Sequence, residues 1–297
     1  MRHTFTIILL ILSVCISTAR SKQSLHKYND LSSCVVVCGD STLRIIDLKN
    51  SSGSDVKVIW QWKTSDKDLI PLDECKPFDR GRKIMISSSR RAIGILSVQT
   101  GELIAKAKTR MAHSVEMLPG NRIAAALSTN KAGNCLVVYD LKDMSKPFFK
   151  DSLYSGHGVV WNKKLKSLFA LGYTELREYK LKDWNSKNPS LELKRTWLLP
   201  GKGGHDLSWV DYNRMLITNA FGVYMFDIAK GEFSPFEPMK DMRKVKSVNY
   251  DSKSGLIVYT QGEEDWWTHH VNQKNPDKRI DIPDFNAYKV RTFLHNR

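Results

Sequence analysis

Gly156-His157-Gly158-Val159-Val160-Trp161-Asn162 and Gly204-His205-Asp206-Leu207-Ser208-Trp209-Val210 are near copies of one segment. A third copy, Ala112-His113-Ser114-Val115-Glu116-Met117-Leu118, keeps the histidine and the apolar position two residues later. Each is followed by a short apolar run: Ile123 to Leu127, Leu168 to Leu171, and Met215 to Ile217. A histidine recurring in one frame marks a repeated unit that brings the same position to one place in space.

Six segments align on the histidine column, beginning at Glu74, His113, His157, His205, Lys246 and Tyr288, 39 to 48 residues apart. An apolar residue stands two positions later in five of them: Val115, Val159, Leu207, Val248 and Val290. Lys76 breaks the pattern in the first. Within each interval further extended runs follow. The most regular are Leu43 to Leu48, Leu136 to Leu141 and Val223 to Ile228, each bearing an aspartate before its last apolar residue. Alternation over five to eight residues, rich in β-branched and aromatic side chains, reads as strand. Turns such as Gln99-Thr100-Gly101 and Ala229-Lys230-Gly231 separate the runs.

Four strands per unit of roughly 40–45 residues is the period of a β-propeller blade. The fold expected is all-β, a six-bladed propeller over residues 31–297. Seven blades would need one more within residues 181–200. The chain starts mid-unit at Cys34-Val35-Val36-Val37-Cys38 and ends on a first-strand pattern, Ala287 to Phe293. The C-terminal strand is therefore expected to pair into the first blade, which removes a sheet edge that would invite aggregation.

These strand runs resemble those of secreted bacterial propellers of the YVTN, NHL and WD40-like group, as found in small uncharacterised Bacteroidetes families. Gly156-His157 and Gly204-His205 resemble the glycine-histidine pair of WD40 repeats, although no tryptophan-aspartate pair closes a third strand. The resemblance implies the propeller fold and leaves the ligand open.

Residues 1–21 read as an export signal. Arg2 and His3 precede an apolar stretch from Phe5 to Ile16, and Ser17-Thr18-Ala19 offers small residues for cleavage. That stretch is shorter than the roughly 20 residues a membrane span needs. The mature chain is expected to be exported, periplasmic or extracellular, and monomeric. A rival reading lipidates Cys15 and tethers the chain to a membrane; Val14 stands where a small residue is expected. Cys34, Cys38, Cys75 and Cys135 show no metal spacing and are expected as buried thiols.

Hydrophobic residues make up 41% of the chain and charged ones 26%, a balance that excludes global disorder. The formal charge is +15, and its lysines are scattered, as at Lys163, Lys164, Lys166, Lys180 and Lys182. Such an excess favours an acidic partner by long-range attraction. An anionic glycan or small anionic ligand fits an exported chain, whereas nucleic acid does not, since no nucleic-acid motif is present. Glycine-rich phosphate loops, G-x-S-x-G and H-E-x-x-H are also missing.

The aligned column should circle one mouth of the central channel. His113, His157 and His205 there would suit a divalent metal, zinc, manganese or calcium. The same groups would suit a lyase on uronate-containing glycans, with His157 or His205 as base and Tyr288 as acid. A histidine at a strand entrance also has a purely structural use, holding blades in register. Loops between second and third strands share this face. They add Arg90 and Arg91 to clamp a carboxylate or sulfate, Tyr173 and Asn219 as polar contacts, and Trp267 to stack on a sugar. Glu74, Lys246 and Arg291 complete the candidate ligand contacts. Trp161 and Trp209, at equal offsets from their histidines, are assigned to packing.

Three functions follow: recognition of an acidic carbohydrate, a uronate lyase, or an envelope interaction scaffold with structural histidines.

Overall fold

A computed structural model describes residues 30–293. The export signal read at residues 1–21, with Cys15, lies outside the described residues. Six four-stranded antiparallel sheets form the six blades of a propeller. Their innermost strands are Lys289–Thr292, Glu74–Phe78, Ala112–Leu118, Gly158–Asn162, Asp206–Trp209 and Val245–Tyr250, in blades 1 to 6. No seventh blade lies in residues 181–200. That stretch carries Ser190–Leu198, the outermost strand of blade 4.

The ring closes as expected. Lys289–Thr292 pairs antiparallel with Cys34–Gly39, placing Val290 opposite Val37 and Arg291 opposite Val36. Blade 1 is thus built from both ends of the described chain, and the inner edge of its N-terminal strand is covered.

Each gap between neighbouring blades holds one hydrophobic cluster. Val36 and Cys38 pack toward blade 2, whereas Val35 and Val37 pack toward blade 6. Ile123, Ala125 and Leu127 face blade 2, while Ala124 and Ala126 face blade 4. Successive strand side chains point to opposite faces. A blade covered on both faces therefore needs apolar residues at consecutive positions, and this explains the unbroken runs in the second strands. Burying one such valine or leucine stabilises the fold by about 1.5–3 kcal/mol. The four described cysteines are buried free thiols within this packing.

Turn chemistry is local. Gly101 and Gly231 sit at φ +69° and +71°, where a side chain would be strained. Gly158 has a different reason. A Cβ there would stand 2.6 Å from Leu207 Cβ, so glycine allows blades 4 and 5 to approach.

Inner strands are also stapled to one another by hydrogen bonds. Val159 N–H donates to Ser114 Oγ, Val248 N–H to Asp206 Oδ2, and Val290 N–H to Ser247 Oγ. In each case a polar residue on one blade satisfies the backbone of the next.

Candidate functional site at the channel mouth

The strand register corrects the alignment of the first repeat. Glu74 pairs with Ser87 as Asp206 pairs with Thr218 and Gly158 with Leu171. Glu74 therefore matches Asp206, one residue beyond the histidine column. The true column is Asp73, His113, His157, His205, Lys246 and Tyr288. With Asp73 as its start, Cys75 supplies the apolar residue two positions on, and Lys76 no longer interrupts the pattern. His113 and Lys246 sit at β-bulges, which locally shift the register of their strands.

The column converges. The rings of His113 and His157 lie 4.5 Å apart by centroid, and those of His157 and His205 lie 5.1 Å apart. Tyr288 meets His113 edge-on at 6.3 Å, and Trp267 meets Tyr288 at 5.7 Å. Lys246 Nζ stands 3.2 Å from His205 Nε2.

Hydrogen bonds assign the tautomers. Nδ1 of His113 faces Met111 O at 3.0 Å, and Nδ1 of His157 faces Ser155 O at 2.8 Å. A carbonyl only accepts, so both Nδ1 atoms carry the proton and both Nε2 atoms hold a lone pair. His205 differs, because its Nε2 accepts from Lys246 and its Nδ1 is buried with no partner.

Burial dominates the electrostatics. It lowers the pKa of His113 and pushes His157 well below the usual histidine range, with His113 and His205 adding to the latter shift. It brings His205 to about 3, helped by Lys246. Lys246 itself falls to about 8, through burial and then the charges of Lys244 and Lys289. Tyr288 is held well above its ordinary value by burial and by Asp73. At neutral pH the mouth thus presents three neutral imidazoles, a phenol, one ammonium and the buried carboxyl of Asp73, whose pKa burial raises against the pull of His113.

Directly inward lies a charged layer that sequence reasoning missed in part. Arg291 donates from Nε to Glu74 Oε1 and from Nη2 to Glu74 Oε2, both at 2.8 Å. It also donates from Nη1 to Asp206 Oδ2 at 2.8 Å and from Nη2 to Asp206 Oδ1 at 2.6 Å. Lys289 lies 3.4 Å from Glu74 and 3.3 Å from Asp206. All four side chains are buried, and their charges balance. Burial opposes the ionisation of Glu74, but Arg291 and Lys289 outweigh it and hold the carboxyl well below its ordinary pKa. Glu74 and Arg291, expected as ligand contacts, are thus committed to each other. The signal available in sequence was a run of polar residues, Glu74, Ser114, Asp206, Ser247 and Lys289, inside otherwise apolar strands.

The loops expected at this mouth divide. Asn219 is a turn residue: its side chain accepts from Phe221 N–H and Gly222 N–H and donates to Pro200 O. Arg91 is exposed and paired with Asp68 at 2.7 Å, and Arg90 is exposed beside it. Asp73 accepts from Ser89 N–H and so ties their loop to the ring. Tyr173 packs edge-on against Tyr154 at 5.5 Å. Tyr154, Phe221 and Trp266, on loops of this face, are exposed, and Tyr173 and Trp267, also on its loops, are half-buried. His270 lies on the third strand of blade 6, away from the ring, and bonds Glu263 at 2.6 Å.

Three histidines are brought together, but one of them is already engaged by Lys246. Among the described residues no group of three or more His, Cys, Asp or Glu side chains is arranged to hold a metal ion. Nor, among them, is any helix long and apolar enough to cross a membrane.

The closed ring of six four-stranded blades around a polar channel defines a six-bladed β-propeller. Within that class the chain belongs to DUF6528, a family of unknown function, whose profile matches residues 6–297. Among solved structures it is similar to a chain of a nidogen/laminin complex, with TM-score 0.62, 12% identity, and coverage of 86% of this chain and 97% of that one. It is also similar to a protein of unknown function from Bacteroides caccae, with TM-score 0.59, 10% identity, and the same coverages of 86% and 97%. At such identities the likeness is one of fold. No curated protein matches the chain.

Proposed function

We propose that this propeller is a binding protein that takes an acidic carbohydrate at the histidine mouth. The observation that carries the reading is the convergence of His113, His157 and His205 with Lys246, on a face whose loops also expose Tyr154, Phe221 and Trp266. Lys246 supplies the positive charge, the neutral imidazoles supply hydrogen-bonding groups, and the indoles and phenols supply flat faces for sugar rings. The overall excess of basic residues draws anions toward the protein. Residues 1–21 act in this reading as an export signal, which N-terminal sequencing of the mature protein tests.

Calorimetric titration with oligouronates, against neutral oligosaccharides of equal length, tests the site. Binding of the acidic series, weakened about tenfold or more by Lys246→Ala, supports it; a tenfold loss corresponds to about 1.4 kcal/mol. Equal affinity for both series, or an unaffected Lys246→Ala variant, removes it.

A lyase is the second reading, favoured by the free Nε2 lone pair of His157, which is placed to serve as a general base, although burial makes it a weak one. His205 is the weaker base because Lys246 occupies its Nε2. Appearance of unsaturated-uronate absorbance with wild-type protein, and its loss in His157→Gln, tests this reading. A flat trace across acidic glycans eliminates it.

A further inference from the structure

Trp161 and Trp209 occupy equivalent positions in blades 4 and 5, and both line a cavity of about 430 Å³ at the opposite end of the channel. Both indoles are half-buried, with Trp209 propped edge-on against Phe169 at 6.1 Å. They serve packing, as expected, but each also borders open space. The volume lies in the range of pockets that enclose small molecules, roughly 300–1,000 Å³.

The charge around this cavity is asymmetric. Lys76 and Glu116 face each other on the wall at 3.6 Å and offset one another. Arg291 reaches the cavity from the channel, but its charge is balanced by Glu74 and Asp206. The rim acid Asp79 is held by Arg82 and by Lys83, the latter at 3.1 Å. Arg80 and Lys163 remain, exposed on the rim and without an ion pair among the described residues. What faces an incoming ligand is therefore two indoles and two unpaired cations. The buried layer of Glu74, Asp206, Lys289 and Arg291 lies between this mouth and the histidines, so the two mouths are chemically separate.

We propose that this second mouth binds a small ring-bearing carboxylate, with its ring against an indole and its carboxylate toward Arg80 and Lys163. A sugar acid and an aromatic acid share that chemistry. The inference stands apart from glycan recognition at the histidine mouth, since it uses none of the same side chains.

Tryptophan emission, followed during titration with glucuronate, benzoate and glucose at low salt, tests it. Saturable quenching by at least one of the carboxylates, and none by glucose, is the result expected. Quenching by glucuronate alone identifies a sugar acid, and by benzoate alone an aromatic acid. The double variant Arg80→Gln, Lys163→Gln changes only exposed side chains and should weaken binding about tenfold or more. Lys131→Glu, on a loop of the opposite face, controls for net charge and should leave affinity unchanged. The proposal is overturned if neither carboxylate binds, if glucose binds equally well, or if Lys131→Glu weakens binding as much as the double variant.

Discussion

Arg291 grips Glu74 through two hydrogen bonds of 2.8 Å, joining the last strand of the described chain to the first strand of blade 2. The contact spans the closure of the ring, and the same guanidinium reaches across the channel to Asp206. A buried charge left without its partner costs about 3–5 kcal/mol. Arg291→Met should destabilise the protein by that amount in chemical denaturation. Arg291→Lys should rescue little, because an ammonium cannot fork to two carboxylates at once. A loss below about 1 kcal/mol for Arg291→Met would show that the layer is not holding the ring together.

Acid should weaken the fold in two stages. His113, His157 and His205 have pKa values depressed below 6.5 in the folded state. Below about pH 6.5 the unfolded chain binds protons that these buried rings refuse, so stability falls as pH falls. The slope is up to about 1.4 kcal/mol per pH unit for each ring. Glu74 and Asp206 are depressed too, chiefly by Arg291 acting against burial. Their contribution is fully present above about pH 4 and is lost below it as they protonate. Melting temperatures from pH 8 to pH 3 should therefore begin to drop near pH 6.5, and His157→Gln should flatten the first stage. Asp73 and Glu116, whose pKa values burial raises, slope the other way. The contradiction to ring burial would therefore be a His157→Gln profile identical to wild type between pH 7 and pH 5.

Ligand binding at the histidine mouth should respond to alkali through Lys246, whose pKa is brought down to about 8. The ammonium is present below that value and lost above it. Affinity for an acidic glycan should decline as pH rises through about 8. Lys246→Arg, if it binds, should keep its affinity to higher pH, because guanidinium does not titrate there. An affinity constant from pH 7 to pH 9.5 would assign the charge to another residue.

Zinc offers a sharper view of the same contact. His113 and His157 each present a free Nε2, but that of His205 is taken by Lys246. Three-histidine coordination requires the ammonium to leave. Lys246→Met should therefore bind zinc more tightly than wild type in calorimetric titration. Equal affinities would mean that His205 does not take part in any metal site.

The propeller was legible because its signals are local and repeated. Val35-Val36-Val37 and Ile123 to Leu127 are apolar at consecutive positions since each blade is covered on both faces. The histidine column was legible for the same reason, apart from its first member. Spacing alone cannot distinguish Asp73 from its neighbour Glu74, yet a one-residue slip turns a strand side chain to the other face. The ion layer and the second cavity were not legible, since Glu74, Asp206 and Arg291 lie far apart in the chain.

Taken alone, the amino-acid order determined the all-β propeller architecture and the return of the C-terminal strand to the first blade. Those features follow from side-chain alternation, turn residues and a repeat length, which act over short stretches. The choice of six blades over seven waited on the placement of Ser190–Leu198 as the outer strand of blade 4. Tertiary structure alone decided which polar residues neutralise one another, which imidazole receives Lys246, and where open space remains beside Trp161 and Trp209. Such outcomes depend on distances between separate blades, and only the closed ring sets them.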